Sequence, residues 1–275
     1  MTHTDSPEMS MEQILSLSEA APGSLMGAGP EYPWGGLYGG QIVAQGLLAA
    51  GVGVDPEYLP HSVRAYFIRR GRQAEPVTYE VDPIRDGRSF CTRRVVAHQG
   101  GQPIGNLEAS FQRTEPSEDI ETIAIDTSVP QPDEGGSESW SEAFDRVTVD
   151  SAVTAPGVGR ATAWIRSTPL PEGSGPLLNA AALAFVSDDL PTDAVIRSHP
   201  VSRGRTDLWD PPLFSASLDH TIWFHRPADA DRWQLHDFRC HSYVGGRGLA
   251  LGHIHTLSGT HVATVAQEVL LRVDS

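Results

Sequence analysis

The chain has 275 residues with a hydrophobic share of 39%, enough for one large domain or for two of roughly 130 residues each. Its formal net charge of −15 argues against a nucleic acid as the main partner, because a phosphate backbone selects basic surfaces. The sequence lacks any run of about 18 apolar residues, which predicts that no segment inserts into a membrane.

The cysteines narrow the class of protein further. Cys91 and Cys240 are the only 2, and neither belongs to a spacing that ligates zinc, so we expect no metal site and no cofactor. A disulfide framework does not suit a chain of this length, and residues 1–10 are polar and acidic, without the basic start and apolar run of a signal peptide. We therefore expect a reduced, cytoplasmic protein.

The first predicted elements are short. Residues 1–10 predict disorder, residues 11–20 a short helix, and residues 23–29 a bent strand.

A glycine-rich loop, residues 35–40, leads directly into an apolar, alanine-rich run that predicts a well-buried helix up to residue 50. Gly39 and Gly40 leave the first N–H groups of this helix open to a ligand, although the same glycines also suit tight helix–sheet packing. Neither a P-loop nor a GxGxxG motif is present.

Residues 61–113 alternate between strand and turn signals. Runs of β-branched and aromatic residues predict strands at 63–68, 76–81, 90–98 and 104–112. A long helix followed by antiparallel strands is the α+β pattern.

Positive charge is concentrated in this same region. The arginines concerned are Arg64, Arg69, Arg70, Arg72, Arg85, Arg88, Arg93 and Arg94. Each alone is explained as a solvated residue on a strand face, whereas the cluster as a whole would suit a phosphorylated ligand.

Residues 114–139 differ in composition, because they hold many acidic residues and no basic one. We predict a surface linker here, and a charged regulatory segment is the alternative.

The second half repeats the order of the first. It predicts strands at 146–149 and 160–165, a second buried helix at 175–188, an irregular stretch at 190–212, and strands at 221–224, 233–240, 247–256 and 261–273. Residues 223–226 correspond to residues 66–69, so we predict two copies of one fold. The predicted boundaries are a tail at 1–20, a first unit at 21–113, an acidic linker at 114–140 and a second unit at 141–275.

One stretch, residues 217–227, joins an acid and histidines to an apolar strand. The strand runs from Thr221 to Phe224, Pro227 ends it, and Asp219 lies near its start. A carboxylate in that place is either satisfied by its neighbours or serves chemistry. The alternative is a solvated strand-edge Asp beside a histidine.

Several motifs are spread over both halves. They are Gly39-Gly40-Gln41 with Gln45, His61-Ser62 with Tyr66-Phe67, Arg85 to Phe90 with Arg93-Arg94-Val95, Leu218-Asp219-His220, Trp223 to Pro227, Arg247-Gly248, and Gln267-Glu268. Together they resemble the type II acyl-CoA thioesterases of the TesB kind, over nearly all of the chain outside the tail and linker. The resemblance implies an α+β double hotdog fold, with two tandem units that are each a buried helix wrapped by an antiparallel sheet.

The family hydrolyses acyl-CoA to free acid and CoA with an Asp, a Gln, and a Thr or Ser. The resemblance carries the Asp to Asp219 and the Gln to Gln267, and it implies that Asp219 accepts a proton from a water that Gln267 orients. The hydroxyl position falls near His241 and Ser242, and one of these two would complete the water site as the third catalytic residue. In a regular strand their side chains face opposite sides.

The same resemblance implies acyl-CoA as the substrate and a helix N-terminus, at Gly39 and Gly40 or near Asn179, as the source of oxyanion donors. The candidate substrate-binding residues are Gly39, Gly40, Gln41, Tyr66, Arg69, Arg88 and Trp223. By analogy with hotdog proteins we expect a homodimer or a larger homo-oligomer.

Two other functions stay open. A degenerate thioesterase would bind acyl-CoA without turning it over, which the changed residue at position 241 favours. Another hotdog enzyme such as a hydratase needs an Asp/His pair, but Asp219 and His220 are adjacent and would point apart in a strand. His220 and His225 are predicted to serve packing or hydrogen bonding, and His253, His255 and His261 to form a surface face rather than a metal site.

Overall fold

The structure is a computed structural model that describes residues 9–73, 75–132, 138–149, 157–203, 205, 207–210 and 213–273. Of residues 1–10, predicted to be disordered, residues 1–8 lie outside this description, as does the part of the acidic linker at 133–137. Met9 packs against the core and Ser10 caps the first helix.

The first half contains two helices and a run of strands. They are α1 (Met11–Ile14), β1 (Leu17–Ala21), β2 (Ser24–Gly27), α2 (Gly39–Gly51), β3 (Tyr58–Phe67), β4 (Val77–Asp86), β5 (Phe90–Gln99) and β6 (Gln102–Arg113).

The second half again surrounds a buried helix with strands. Its elements are β7 (Phe144–Thr148), β8 (Arg160–Ser167), α3 (Pro176–Ser187), α4 (Pro191–Ser198), a short 3-10 helix (Pro200–Ser202), β9 (Phe214–Ser217), β10 (Asp219–Phe224), β11 (Gln234–Val244), β12 (Arg247–Thr256) and β13 (His261–Arg272).

Two local predictions are wrong. The helix expected over residues 11–20 ends at Ile14, because the following residues pair with β2 through a turn at Gly23, whose φ is 76°. The stretch after Leu190 is not irregular throughout, since Pro191 begins α4 and fits the first position of a helix, where no N–H is needed. Ala194, Val195 and Ile196 anchor α4 in the core.

Within the described residues, 13 strands form one antiparallel sheet in the order β1-β2-β4-β5-β6-β3-β10-β13-β12-β11-β8-β7, with β9 also paired to β13. Strands β3 and β10 join the two halves, with Asp219 opposite Tyr66 and Trp223 opposite Ser62. The predicted α+β double hotdog architecture is confirmed, because each half wraps antiparallel strands around its own buried helix.

Helices α2 and α3 lie side by side and run in opposite directions. Near the start of α2, a Cβ on Gly40 would approach the Phe185 carbonyl oxygen, and near its end a Cβ on Gly51 would approach Leu177. The start of α2 therefore meets the end of α3, close to the point where β10 begins.

The acidic linker runs along the second unit. Arg226 binds Asp119 and, at 3.1 Å, Glu121, while Arg160 binds Asp126 at 3.0 Å. The indole N–H of Trp164 donates to the carbonyl of Pro130 at 2.8 Å. The charges of this segment are thus partly neutralised by arginines of the second unit. The four domain boundaries stay predictions.

Candidate active site

The candidate site lies at one end of the β3–β10 junction. Ser217 pairs with Val269 and Thr221 with Ala266. Three residues therefore lie between the two pairs on the β9–β10 segment, against two on β13. This β-bulge interrupts the pairing of the half-buried Asp219 with β13, and its Oδ1 accepts the backbone N–H of Glu268 at 2.7 Å. The carboxylate is thereby held one residue away from Gln267.

Gln267 lies on β13 and is fully buried. Its Oε1 contacts His220 Nδ1, and its Nε2 donates to Ser217 Oγ at 2.8 Å. Since both ends of the amide are engaged, its orientation is set by its neighbours.

The bonds continue from Ser217 to the end of α3. Ser217 Oγ donates to Asp188 Oδ1 at 3.2 Å, and Asp188 Oδ2 accepts the N–H of Gly40 at 2.8 Å. Burial raises the pKa of Asp188 to about 7, while the bonds from Gln267, Ser217 and Gly40 oppose the rise. A carboxyl group that titrates near neutrality thus caps the start of α2.

Sequence reasoning missed Asp188 and Ser217. The available signal was Asp188-Asp189 directly after the apolar run of α3, since an acid next to a buried helix needs partners. His220, predicted to serve hydrogen bonding, is fully buried and lies 2.8 Å from Ser187 Oγ, and burial lowers its pKa to about 4.

The structure does not bring His241 or Ser242 into this cluster. The β11–β12 pairing shifts between Cys240 and Ser242, so His241 is the extra residue of a β-bulge. It lines a groove of about 420 Å³ with Asp237, Arg239 and His253. Strand β12 separates both residues from β13 and therefore from Gln267.

The predicted glycines meet the site directly. A Cβ on Gly39 would lie 2.7 Å from Asp188 Oδ2 and 2.8 Å from the Phe67 ring, so only glycine allows this approach. The N–H of Gly40, predicted as open to a ligand, is instead bound by Asp188. Asn179, the alternative donor region, uses its Oδ1 to accept the Ala230 N–H at 2.9 Å.

The other predicted substrate-binding residues are dispersed. Tyr66 is 65% exposed directly opposite Asp219, and the exposed Arg69 follows it with Nη1 donating to the Pro103 carbonyl at 2.8 Å. Gln41 is buried, accepting from the Tyr32 hydroxyl at 2.6 Å, which is a structural role.

Arg88 and Trp223 lie away from Asp219. The Arg88 carbonyl accepts from the hydroxyl of Tyr58, the first residue of β3, whereas Asp219 pairs near the end of β3. Trp223 lies farther along the junction, with the Arg64 guanidinium 5.6 Å from its ring centroid.

An aromatic cluster walls the start of α2. It consists of Tyr32, Trp34, Tyr38, Trp140, Phe144 and Phe185. The Tyr38 hydroxyl is buried and has no hydrogen-bond partner within the described part of the chain. The cluster gives the site an apolar side.

A separate histidine cluster lies in the second unit, and the prediction that His253, His255 and His261 form a surface face is wrong, because His255 and His261 are buried. The rings of His225, His253 and His255 lie 4.7, 5.1 and 4.9 Å from that of His261. Among the residues that the structure describes, no group of three or more His, Cys, Asp or Glu is arranged to hold a metal ion. No described helix is long and apolar enough to cross a membrane.

A duplicated antiparallel sheet around two antiparallel helices defines a double hotdog protein. Residues 29–112 match the family described as "Acyl-CoA thioesterase N-terminal domain" and residues 121–271 the one described as "Acyl-CoA thioesterase C-terminal domain". The chain belongs to the acyl-CoA thioesterase family.

The chain aligns with individual relatives over most of their length. The chain is 30% identical to acyl-CoA thioesterase 2 of Haemophilus influenzae over 260 residues, covering 86% of this chain and 87% of that one. It is 29% identical to human acyl-coenzyme A thioesterase 8 over 266 residues, covering 86% and 81%. A crystal structure of an acyl-CoA thioesterase II, TesB2, from Mycobacterium marinum superposes with a TM-score of 0.81 at 35% identity, covering 97% of this chain and 98% of that one.

Proposed function

We propose that this chain hydrolyses acyl-CoA thioesters to free acid and CoA. The proposal rests on family membership across both halves together with a carboxylate, Asp219, that is bound by the backbone N–H of Glu268, the residue after Gln267. Fold alone would not support a reaction, so the proposal rests on the site.

In the proposed reaction, a water oxygen attacks the thioester carbonyl carbon while Asp219 accepts a proton from that water. The bond from Glu268 N–H to Oδ1 orients the carboxylate and leaves Oδ2 for the water. The resemblance assigns the orientation of the water to Gln267, whose amide would exchange its bond to Ser217 for one to the water. The C–S bond then breaks, and the CoA thiolate takes up the proton.

The developing oxyanion would be stabilised by the positive end of α2. Gly40 N–H is engaged by Asp188, so Gly39 N–H is the proposed donor. Tyr66 and Arg69, both exposed near Asp219, are the proposed contacts to CoA, and the aromatic cluster around Tyr38 is proposed to border the acyl chain.

The test is thiol release from a panel of short-chain to long-chain acyl-CoAs by the wild type and by Asp219→Asn. We expect the variant to lose about 100-fold or more in kcat, because a positioned acid–base group contributes at least that much. Asp82→Asn, which neutralises an exposed carboxylate on β4, is the control that should retain activity.

One rival function has support in the structure. The resemblance places the family hydroxyl near His241, which lies in another groove, and this favours a protein that binds acyl-CoA without hydrolysis. If no acyl-CoA is hydrolysed by the wild type while CoA esters still bind in calorimetry, the enzymatic proposal fails and the binding function replaces it. The hydratase alternative has less support, because His220 is fully buried against Gln267.

We also infer a cytoplasmic homodimer or larger homo-oligomer. Cys91 and Cys240 are both free thiols, as expected for a reducing compartment. Exposed apolar side chains such as Phe214, at 55%, and Val244, at 72%, offer surface for a subunit contact. Light scattering after size exclusion tests the assembly, and a monomer at all concentrations would refute it.

A further inference from the structure

A buried chain of hydrogen bonds passes through Gln267 and connects the end of α3 to the start of α2. Its members are, in order, Ser187, His220, Gln267, Ser217 and Asp188. We call it the buried hydrogen-bond chain. At one end Ser187 Oγ lies 3.0 Å from the Ala184 carbonyl, and at the other Asp188 Oδ2 lies 2.8 Å from Gly40 N.

The donors in this chain are strictly limited. Each serine hydroxyl has one hydrogen, and a neutral imidazole has one N–H, on either Nδ1 or Nε2. His220 is neutral at pH 7, because burial lowers its pKa to about 4. The oxygen and the nitrogen of the Gln267 amide have nearly the same shape, so they are assigned from their hydrogen-bond partners. Gln267 donates to Asp188 as well as to Ser217 when Asp188 is ionised. If each hydroxyl and the imidazole donate once along the chain, two arrangements satisfy the links, and their hydrogens point in opposite directions.

The first direction requires an ionised Asp188, which only accepts. Ser217 then donates to Asp188, and Gln267 donates from Nε2 to Ser217. Gln267 Oε1 accepts from His220 Nδ1–H, so His220 Nε2 accepts from Ser187. In this arrangement the Ser187 hydrogen is no longer available to the Ala184 carbonyl.

The second direction requires a protonated Asp188, which donates to Ser217. Ser217 then donates to Gln267 Oε1, and Gln267 Nε2 donates to His220 Nδ1. His220 carries its proton on Nε2 and donates to Ser187, which in turn donates to the Ala184 carbonyl. Every member remains satisfied, and Asp188 Oδ2 still accepts the Gly40 N–H.

The two directions differ by one proton. Going from the first to the second, Asp188 takes up one proton from solvent, the Gln267 amide turns over, and His220 exchanges Nδ1–H for Nε2–H. No other group changes its protonation state.

Both directions are accessible near neutral pH, since Asp188 has a pKa of about 7. Burial is the main cause, and the adjacent Asp189 adds to it. The titratable and charged groups around the chain are Asp189, Tyr38, Arg146 and Asp219. Arg146 pairs with Asp189 at 3.1 Å, which limits the effect of that second acid.

We propose that Asp188 is a positioning residue whose protonation reverses the buried hydrogen-bond chain and so turns over the amide of Gln267. Only the kinetic consequence rests on the proposed thioesterase function, because the reversal is a property of the folded chain.

The direct measurement is the tautomer of His220, read from histidine nitrogen-15 NMR between about pH 5.5 and pH 8.5, above the pKa of His220. In wild type we expect the Nδ1–H form at high pH, the Nε2–H form at low pH, and a midpoint near the Asp188 pKa of about 7. A single tautomer over the whole range would overturn the proposal.

Asp188→Asn is the decisive variant. The Gly40 N–H needs an acceptor, so the Asn oxygen faces Gly40 and the amide nitrogen donates to Ser217. The variant should hold His220 as Nε2–H at every pH. A His220 titration that persists unchanged in this variant contradicts the assignment of the proton to Asp188.

Two further variants keep the test independent of folding and of activity. Ser217→Ala interrupts the chain, so the His220 tautomer should no longer follow pH even if Asp188→Asn does not fold. Asp219→Asn should retain the tautomer change while losing thioester hydrolysis.

Kinetics give the functional readout. The limb of the kcat/KM profile near pH 7 should be absent in Asp188→Asn, whose activity should stay at the low-pH level of the wild type. Without thioesterase activity, the NMR result still decides the proposal.

Discussion

His236 is a fully buried residue of β11 whose two ring nitrogens both lack hydrogen-bond partners within the described residues. Burial alone lowers its pKa from 6.5 to about 3. The folded state therefore holds this ring neutral, whereas the unfolded chain protonates it below about pH 6.5. Its contribution to stability is present above the unfolded pKa and is lost as the pH falls towards the folded pKa.

Replacing His236 by Leu should reduce the acid sensitivity of folding. Between pH 6.5 and pH 5 the free energy of unfolding of the wild type should fall by about 1.4 kcal/mol per pH unit because of this residue alone. Urea denaturation at several pH values measures the slope, which His236→Leu should lower by that amount.

A control on the same strand sharpens this prediction. His241 is exposed, so His241→Leu is the control for replacing a histidine of this strand that is not buried. Equal slopes in wild type and His236→Leu would show that His236 is protonated in the folded state as easily as in the unfolded chain.

At the scale of elements, the contact between α2 and α3 depends on Gly40. A Cβ at this position would lie 2.3 Å from the carbonyl oxygen of Phe185 and 2.5 Å from the Tyr38 ring. The Phe185 carbonyl is helix backbone and cannot turn aside, so the helices would have to separate. The same glycine gives its N–H to Asp188, which makes helix packing and site geometry inseparable here.

Gly40→Ala should therefore destabilise the fold by about 1–3 kcal/mol through overpacking. Gly175→Ala is the matched control, because Gly175 precedes α3, has a φ of −73° and has no atom within 4 Å of an added Cβ. The control should cost at most about 1 kcal/mol, from the poorer capping of alanine. Equal urea midpoints for the two variants would refute the packing argument.

Whether an element can be predicted from the sequence depends on its length and on its residue pattern. Runs of β-branched and aromatic residues predict strands β3, β5, β6 and β13. The repeated order of helix and strands indicates the duplication. The short β1 and α4 could not be predicted in this way, because a few residues carry too little periodicity to separate helix from strand.

Within the site, Asp219 is indicated by its place at the start of an apolar strand, whereas Gln267 was found only through the resemblance of its motif to a family. Asp188 and Ser217 come from the end of α3 and from β9, 29 residues apart in sequence, and they meet only in the folded chain. The bulge at His241 has no sequence signal either, since it arises from the pairing of β11 with β12.

At the scale of the whole molecule, the two units share one sheet. Strand β3 lies between β6 and β10, and α2 packs against α3. An isolated first unit would expose both a strand edge and an apolar helix face. The linker adds ionic contacts through Arg226 and Arg160, but the dependence of each unit on the other comes from the shared sheet and the helix contact.

The full chain should therefore unfold in a single cooperative transition, with equal calorimetric and van't Hoff enthalpies. Residues 1–113 expressed alone should not fold, whereas co-expression with residues 114–275 should rescue them. Two resolved calorimetric transitions, or a folded isolated half, would contradict a shared core.

The β3–β10 junction has a further consequence. Since Asp219 pairs with Tyr66 and Trp223 with Ser62, the centre of the junction lies at Thr221 and Arg64, and Ser62 occupies on β3 the place of Asp219 on β10. Only one end of the junction thus carries a carboxylate. When two copies of a unit are fused into one polypeptide, their sequences are free to differ. One unit can then lose its reactive group while its strands and helix still pack against the other unit. We expect one equivalent of a non-hydrolysable acyl-CoA analogue to bind per polypeptide, although the architecture contains two units.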